Sequence, residues 1–534
     1  MMILQSHKVR SKAPVAPSEM PANVGPVKPK RGRPPGEASK VEEKIHYPSV
    51  CGVDLAKFWK VPTPLRNRLA SAFARTLGDL FSAFQEFYDA EKPDLISVLC
   101  DRLPLIVSAL GKAIISEILG EERGHLGQHI RCDRESCTGT LDYQGDVKKN
   151  IKTKMGEITV ARSYYHGACG HSVCPLDVRL GLSDSHSALP DLLELITMTT
   201  TTLSFPEAVA FIDKAICVPI SLRYAEAVTA TDADYVKRKL QQEVDEMMRN
   251  PSQAAARNGE LEEGVVLVSS DGGFCKVRDH SEPTHEFKLV CFGSLELESS
   301  LQSDDPEKYS RMFRLEKKCY VGRLAGPDEV FQHAQAEYFR RGYHKIKTIH
   351  GVADGAGWCL PRIAGLAQED QEVSLVLDWW HAKERVSAAT KLAFPADAEV
   401  AGQRARAIAD QLWESRNAQF FESLSRLRDD ALAHKAEIQD HIDYFARRRH
   451  LLRYKECRAR NLPIGSGVIE GGIRFLGKDR LDRTGMSWNI RGADGMLGLR
   501  CARYSGRLDE LYRTRDLERK ARYETAQRLW LSAA

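Results

Sequence analysis

The stretch Val265-Val266-Leu267-Val268-Ser269-Ser270-Asp271-Gly272-Gly273 decides the reading of this chain. A short apolar run rich in β-branched residues and closed by glycines reads as a buried strand. Its last side chain before the glycines is a carboxylate. The same pattern recurs twice downstream. His350-Gly351-Val352-Ala353 runs into Asp354-Gly355, and Ser374-Leu375-Val376-Leu377 runs into Asp378, followed by Trp379-Trp380-His381. A further acid, Glu470, sits in Pro463-Ile464-Gly465-Ser466-Gly467-Val468-Ile469-Glu470-Gly471-Gly472. Between 262 and 380 the order strand, strand, strand, helix, strand, strand predicts a mixed sheet with helices on its faces.

Any single Asp-Gly after a strand is an ordinary turn. Several together predict an oxygen-rich pocket at the strand ends. Such a pocket suits Mg²⁺, or Mn²⁺, because these hard cations take oxygen ligands. Asp271, Asp354 and Glu470 are the candidate metal ligands, with Asp378 and His381 in support. A helix starting near Val468 carries Arg474 and Lys478 at helical spacing from Glu470, two cations on the face of an acid.

Thirteen cysteines in 534 residues fit a disulfide framework poorly, and a reducing cytoplasmic setting is expected. Cys132-x₄-Cys137 and Cys169-x₄-Cys174 form two knuckles around a β-like hairpin and predict a structural Zn²⁺ site, with His166 and His171 competing as ligands. The net charge of +4 is unevenly spread: 446–534 holds 21 basic against 10 acidic residues, and 1–45 holds 9 against 4. Basic ends around an acidic middle suit a chain that holds a polyanion and keeps carboxylates for metal. Arginines that merely solvate helix faces give the same count. Among them Arg447, Arg448, Arg449, Arg474 and Lys478 are the candidate phosphate contacts. Trp488, on a Gly-bounded loop, either stacks on an unpaired base or enters a core. The apolar stretch from Leu103 to Gly111 is too short to cross a bilayer, so no membrane association is expected.

These patterns divide the chain into six segments. Residues 1–45 read as a disordered basic tail. Inside it Lys28-Pro29-Lys30-Arg31-Gly32-Arg33-Pro34 resembles an AT-hook, with Arg31 and Arg33 suited to an A·T-rich minor groove, or is a plain basic linker. Residues 46–127 are a helical domain, for dimerisation or simply a core. Residues 128–182 are the Cys-rich region. Residues 183–258 are helical, with caps at Ser204 and Ser221 around a short break that makes a helix-turn-helix available for DNA. Residues 259–480 are the acid-bearing domain, interrupted by helices over 383–460, and 481–534 form a basic C-terminal region.

The ordered set Asp271-Gly-Gly, Asp354-Gly-Ala-x-Trp358, Asp378-x-x-His381-Ala-Lys, Gly465-Ser-Gly-x-x-Glu470-Gly-Gly and Arg483-x-Gly-Met-x-Trp488 resembles the ISKra-type bacterial insertion-sequence transposases. The resemblance runs from about 128 to 515 and takes in Cys174-Pro-Leu-Asp and Leu180-Gly-Leu. The Asp-x-x-His element also resembles that of Mutator-like transposases. The resemblance implies a multidomain α+β protein: a ribonuclease H-like α/β catalytic domain with a helical insertion, preceded by helical and zinc-binding Cys-rich segments. It implies a DDE transposase with Asp271, Asp354 and Glu470 as the acids, acting on double-stranded transposon ends and target DNA, oligomeric and nucleoid-associated. Tyr165-His166-Gly167 departs from the family's Tyr-His-Cys and leaves the zinc ligands open. A nuclease that does not join strands, and a zinc-containing DNA-binding regulator descended from a transposase, are the rival readings.

Overall fold

The computed structural model describes residues 63–89, 95–182, 186–256, 260–279, 281–297, 305–310, 312–483 and 486–532. The tail with Arg31 and Arg33, and the start of the 46–127 segment, lie outside them. Five strands build the larger sheet: β5 (Glu262–Lys276), β6 (Thr284–Leu297), β7 (Phe313–Arg323), β8 (Ile346–Ala353) and β9 (Glu372–Leu377). A smaller four-stranded antiparallel sheet precedes it, with β1 (His129–Arg131), β2 (Thr140–Thr153), β3 (Gly156–His166) and β4 (Ser172–Val173).

The larger sheet is mixed, in the order β7-β6-β5-β8-β9. Its first three strands pair antiparallel, and β5, β8 and β9 run parallel. Val266, Leu267 and Val268 of β5 are all buried, as an unbroken apolar run covered on both faces requires. The helix Pro327–Arg340 makes the crossover from β7 to β8, and the helix Cys359–Ala364 connects β8 to β9.

After β9 comes a helical insertion: Trp379–Ala393, Ala398–Trp413, Asn417–Asp430, Lys435–Arg447 and Tyr454–Ala459. Its first helix starts at Trp379 because Asp378 caps it, accepting from the His381 amide at 2.8 Å. The periodic residues Ile408, Leu412, Phe420 and Leu424 are all buried there. The chain then returns to the sheet as the short helix Gly467–Gly472, continued by the π-helical turn Ile473–Lys478. Glycines permit that close approach. A Cβ on Gly477 would lie 2.2 Å from the Phe287 ring of β6, and one on Gly273 of β5 would lie 2.4 Å from it.

Two expectations change in detail. The apolar stretch does not end at Gly111. The 20-residue helical segment Arg102–Glu121 is, by length and composition, long and apolar enough to cross a membrane, because Ala113, Ile114, Ile115, Ile118 and Leu119 carry the pattern past Lys112. Of the helices around the 217–221 break, Phe205–Ile216 is short but Leu222–Arg249 has 28 residues. Residues Thr63–Ala534 form one compact unit that takes in the segments read from 128 onward.

Candidate functional site

Register brings the acids together. β5 pairs with β8 as far as Ser269↔Val352, and β8 with β9 as far as Ala353↔Leu377. Carried one or two residues further, Asp271 falls level with Asp354, and Asp354 with Asp378. Neighbouring strands lie about 4.8 Å apart, so Asp354 and Asp378, just past the ends of β8 and β9, fall beside Asp271. The strand β5 does not close at its aspartate, as the sequence suggested, but runs on antiparallel to β6 through Gly272 and Gly273 to Lys276.

Glu470 reaches the same edge through a tethered loop. The Trp379 amide donates to the Ile464 carbonyl at 2.9 Å, and His350 Nε2 meets the Pro463 carbonyl at 2.7 Å. Full burial pushes His350 down to about 4, so its ring is neutral in this contact. The Ser466 amide donates to Asp378 Oδ2 at 2.6 Å, and the Ser466 hydroxyl to Glu470 Oε1 at 3.0 Å. Asp378 is therefore fully engaged. Its Oδ1 takes the His381 amide and faces His381 Nδ1, each at 2.8 Å, and it has no exposed surface. Its work is to hold His381 and the Glu470 loop.

The charges of these groups bear on one another. Asp271 is pushed up to about 6, first by burial and then by the charges of Asp354 and Glu470, against the Gly272 amide and His381, which favour its ionised form. His381 is pushed up to about 9, first by its hydrogen bond to Asp378 and also by Asp354 and Glu470, against burial. The donor set fits a divalent cation: a desolvated Asp271 carboxylate in the field of Asp354 and of Glu470, which is exposed. The acidic group whose ligand atoms lie within 4.8 Å of one another is Asp378, His381 and Glu470; of the three ligands expected from sequence it contains Glu470 but not Asp271 or Asp354.

The helical insertion clamps the Asp354 turn. The Tyr444 hydroxyl donates to the Asp354 carbonyl at 2.6 Å, and Arg448 donates from Nε and Nη2 to the Gly355 carbonyl at 2.8 and 2.6 Å. Arg385 and Arg448 stack on the Tyr444 ring at 3.7 and 3.9 Å. Gly355 has φ of 85°, and a Cβ there would lie 2.6 Å from Arg448 Nε. Arg448, read from sequence as a phosphate contact, thus spends its donors on this turn. Arg447 and Arg449 are exposed, as are Arg474 and Lys478 beside Glu470. Arg449 lies over Phe421. Trp488 is half-buried and donates to the Leu481 carbonyl at 3.0 Å. Sequence reading missed Ser466, His350, Arg385 and Tyr444. Only Ser466 carried a signal, the small residues around it.

The cysteine region holds a second metal-capable group. Cys132, Cys137 and Cys169 have sulfurs within 4.8 Å of one another and could hold a metal such as zinc. Burial raises Cys132 to about 11, while the His171 backbone hydrogen bond lowers Cys169. Cys174 stands outside this trio. Pro175 turns the chain into the helix Pro175–Leu180 directly after it, and the thiol sits in the field of Arg162, Asp177 and Lys149. His166 Nδ1 meets Ser172 Oγ at 2.8 Å, and His171 Nε2 meets Asp133 at 2.7 Å.

No family model matches this chain. It is 22% identical over 435 residues to the "UPF0236 protein in vanSb 3'region" of Streptococcus gallolyticus, an alignment covering 76% of this chain and 88% of that protein, whose name assigns no activity. The chain is a distant homologue of that UPF0236 protein.

Proposed function

We propose that this protein is a DNA transposase of the DDE type, cleaving and joining the ends of an insertion sequence in a ribonuclease H-like domain. The observation that carries the reading is the parallel register of β5, β8 and β9, which, continued one or two residues, brings Asp354 and Asp378 level with Asp271, in whose field Glu470 also lies. A sheet of three antiparallel strands extended by two parallel ones supports the same reading. Asp271, Asp354 and Glu470 would hold one or two Mg²⁺ or Mn²⁺ ions, which when bound supply Lewis acidity for phosphodiester displacement.

The chain's own groups do the rest. Asp271 must shed its proton before it can ligate, and a cation at the acids favours that. Asp378 fixes His381, whose charge offsets the surrounding carboxylates before metal binds. Arg474, Lys478 and Arg447 face solvent and suit DNA phosphates, which gives salt-dependent binding. Exposed Phe73, Leu77, Phe81, Leu103 and Val107 on the first two helices suit self-association, as a protein that pairs two DNA ends needs. The cellular setting that goes with this activity is the nucleoid in the cytoplasm.

The test is a cleavage and strand-transfer assay with labelled element ends and Mg²⁺. Cut and joined products are expected from the native chain, and a loss of at least about 10³-fold from Asp354→Asn and Glu470→Gln. Cut ends that are never joined would make it a nuclease. An Asp354→Asn chain with native activity would reject the catalytic assignment.

A further inference from the structure

A cavity of about 1010 Å³ lies between the helices Phe205–Ile216 and Leu222–Arg249 and the chain from Arg480 to Met496. Its charge pairing is incomplete. Arg483 meets Glu207 at 3.3 Å, and Arg491 pairs with Asp234. Arg278 instead donates to the Ser487 carbonyl at 2.9 Å, and Arg480 pairs with no carboxylate among the described residues. Glu226 is the remaining acid of the lining and is exposed.

Arg480 is the telling residue. It has no exposed surface, donates from Nε to the Thr200 carbonyl at 2.9 Å and from Nη1 to Met486 Sδ at 3.5 Å, and leaves Nη2 without a partner. Its guanidinium lies between two rings, 5.1 Å from Phe205 and 4.9 Å from Trp488. Glu207 acts on it from a distance but pairs with Arg483, and a buried cation so weakly offset is costly unless an anion arrives. Phe205, Leu222 and Met496 give the same cavity an apolar wall, and its volume far exceeds that of a bare phosphate. Arg480 lies in the last turn of the helical run that holds Glu470, on the order of 10–15 Å along it, since part of that run is the π-helical turn Ile473–Lys478, which rises less per residue. One DNA strand can span the two places.

We propose that this cavity receives an unpaired nucleotide of the DNA strand held at the acids, with its phosphate on Arg480 and Arg278 and its base against the Phe205 and Trp488 wall. The inference rests on the transposase reading and names the part of the substrate that lies outside the acids. Base–aromatic stacking and a desolvated phosphate contact together make such a site selective for unpaired over paired DNA.

The experiment uses the full chain carrying Asp271→Asn, without divalent metal, and compares by fluorescence anisotropy a synthetic duplex with a three-nucleotide overhang and the same duplex fully paired. We expect about tenfold tighter binding of the overhang. Ala230→Trp, at an exposed helix position on the cavity rim, should remove that preference and leave duplex affinity unchanged. Arg480→Gln should do the same where thermal melting confirms that it folds. An overhang preference that survives Ala230→Trp overturns the proposal. So does equal binding of both duplexes, or the absence of DNA binding. Because no cleavage is measured, a native chain that shows the preference but cuts nothing with Mg²⁺ sinks the transposase reading and not the nucleotide site.

Discussion

At the scale of single residues, Asp271 holds the most information. Its folded value of about 6 lies above the ordinary 3.8, so the stability tied to its protonated form is present below about pH 4 and is lost as pH rises through about 6. In the metal-free chain at pH 8 the ionised carboxylate is therefore a liability. Asp271→Asn is expected to raise the thermal midpoint at pH 8, and the gain should shrink as pH falls below about 5. Mg²⁺ should raise the midpoint of the native chain at pH 8 more than that of the variant, since ligand binding to the folded state is stabilising. Melting curves with and without Mg²⁺ read both effects. A variant no more stable than the native chain at pH 8 would mean that Asp271 is not strained by its neighbours. This residue was legible in the sequence because an apolar run must stop where a charge begins. Asp354 and Asp378 were legible for the same reason, and a shared register then set them level. Asp378 shows the limit of that reading: its place was predictable, but both oxygens being consumed by Ser466 and His381 depends on a loop that returns 88 residues later.

At the scale of elements, the helical insertion acts as a clamp on the site. Its helices were legible from apolar spacing, but their purpose was not. Tyr444 reaches Asp354 across 90 positions of sequence, and periodicity says nothing about such a contact. Arg448 looked like one of three exposed cations and proves to be the brace of a left-handed glycine turn. Tyr444→Phe removes the hydroxyl that holds the Asp354 carbonyl and leaves the ring between Arg385 and Arg448. The loss of one hydrogen bond predicts only about 0.5–1.5 kcal/mol of stability. The cost to cleavage should be larger, about tenfold to a hundredfold, because a small misplacement of a ligand-bearing turn disturbs the site more than the fold. Thermal melting beside single-turnover cleavage separates the two. Equal, small effects on both would reduce Tyr444 to a packing residue.

At the scale of the whole molecule, the basic C-terminal stretch does two jobs: most of its cations face solvent, and a few are spent inside as scaffolding. Arg480, Arg500 and Arg507 are 0%, 3% and 3% exposed. Arg500 donates to the Leu476 carbonyl at 2.9 Å, and Arg507 bridges Glu337 and Glu510. Asp494 takes Arg323 through both oxygens at 3.0 and 3.2 Å, fastening the helix Ile490–Tyr504 to β7. A charge count cannot distinguish an arginine facing solvent from one closing helix ends, so the three buried ones were not separable from the rest in the sequence. The last helix, Leu508–Leu531, then extends to the cysteine region, where fully buried Trp530 joins Ile130, Cys132, Leu141 and Tyr165 in one apolar cluster. The last described helix thereby shares a core with the metal-capable cysteines. Trp530→Ala should cost about 3–5 kcal/mol, the usual range for emptying a buried aromatic site. If zinc occupies Cys132, Cys137 and Cys169, that loss should also speed zinc release to a chromogenic chelator. Cys137→Ser should abolish zinc binding, and Cys174→Ser should leave both zinc content and release rate unchanged, because its thiol stands in a different field. Zinc lost on Cys174→Ser would place the fourth sulfur in the site, and would require the Pro175 helix to shift when metal binds.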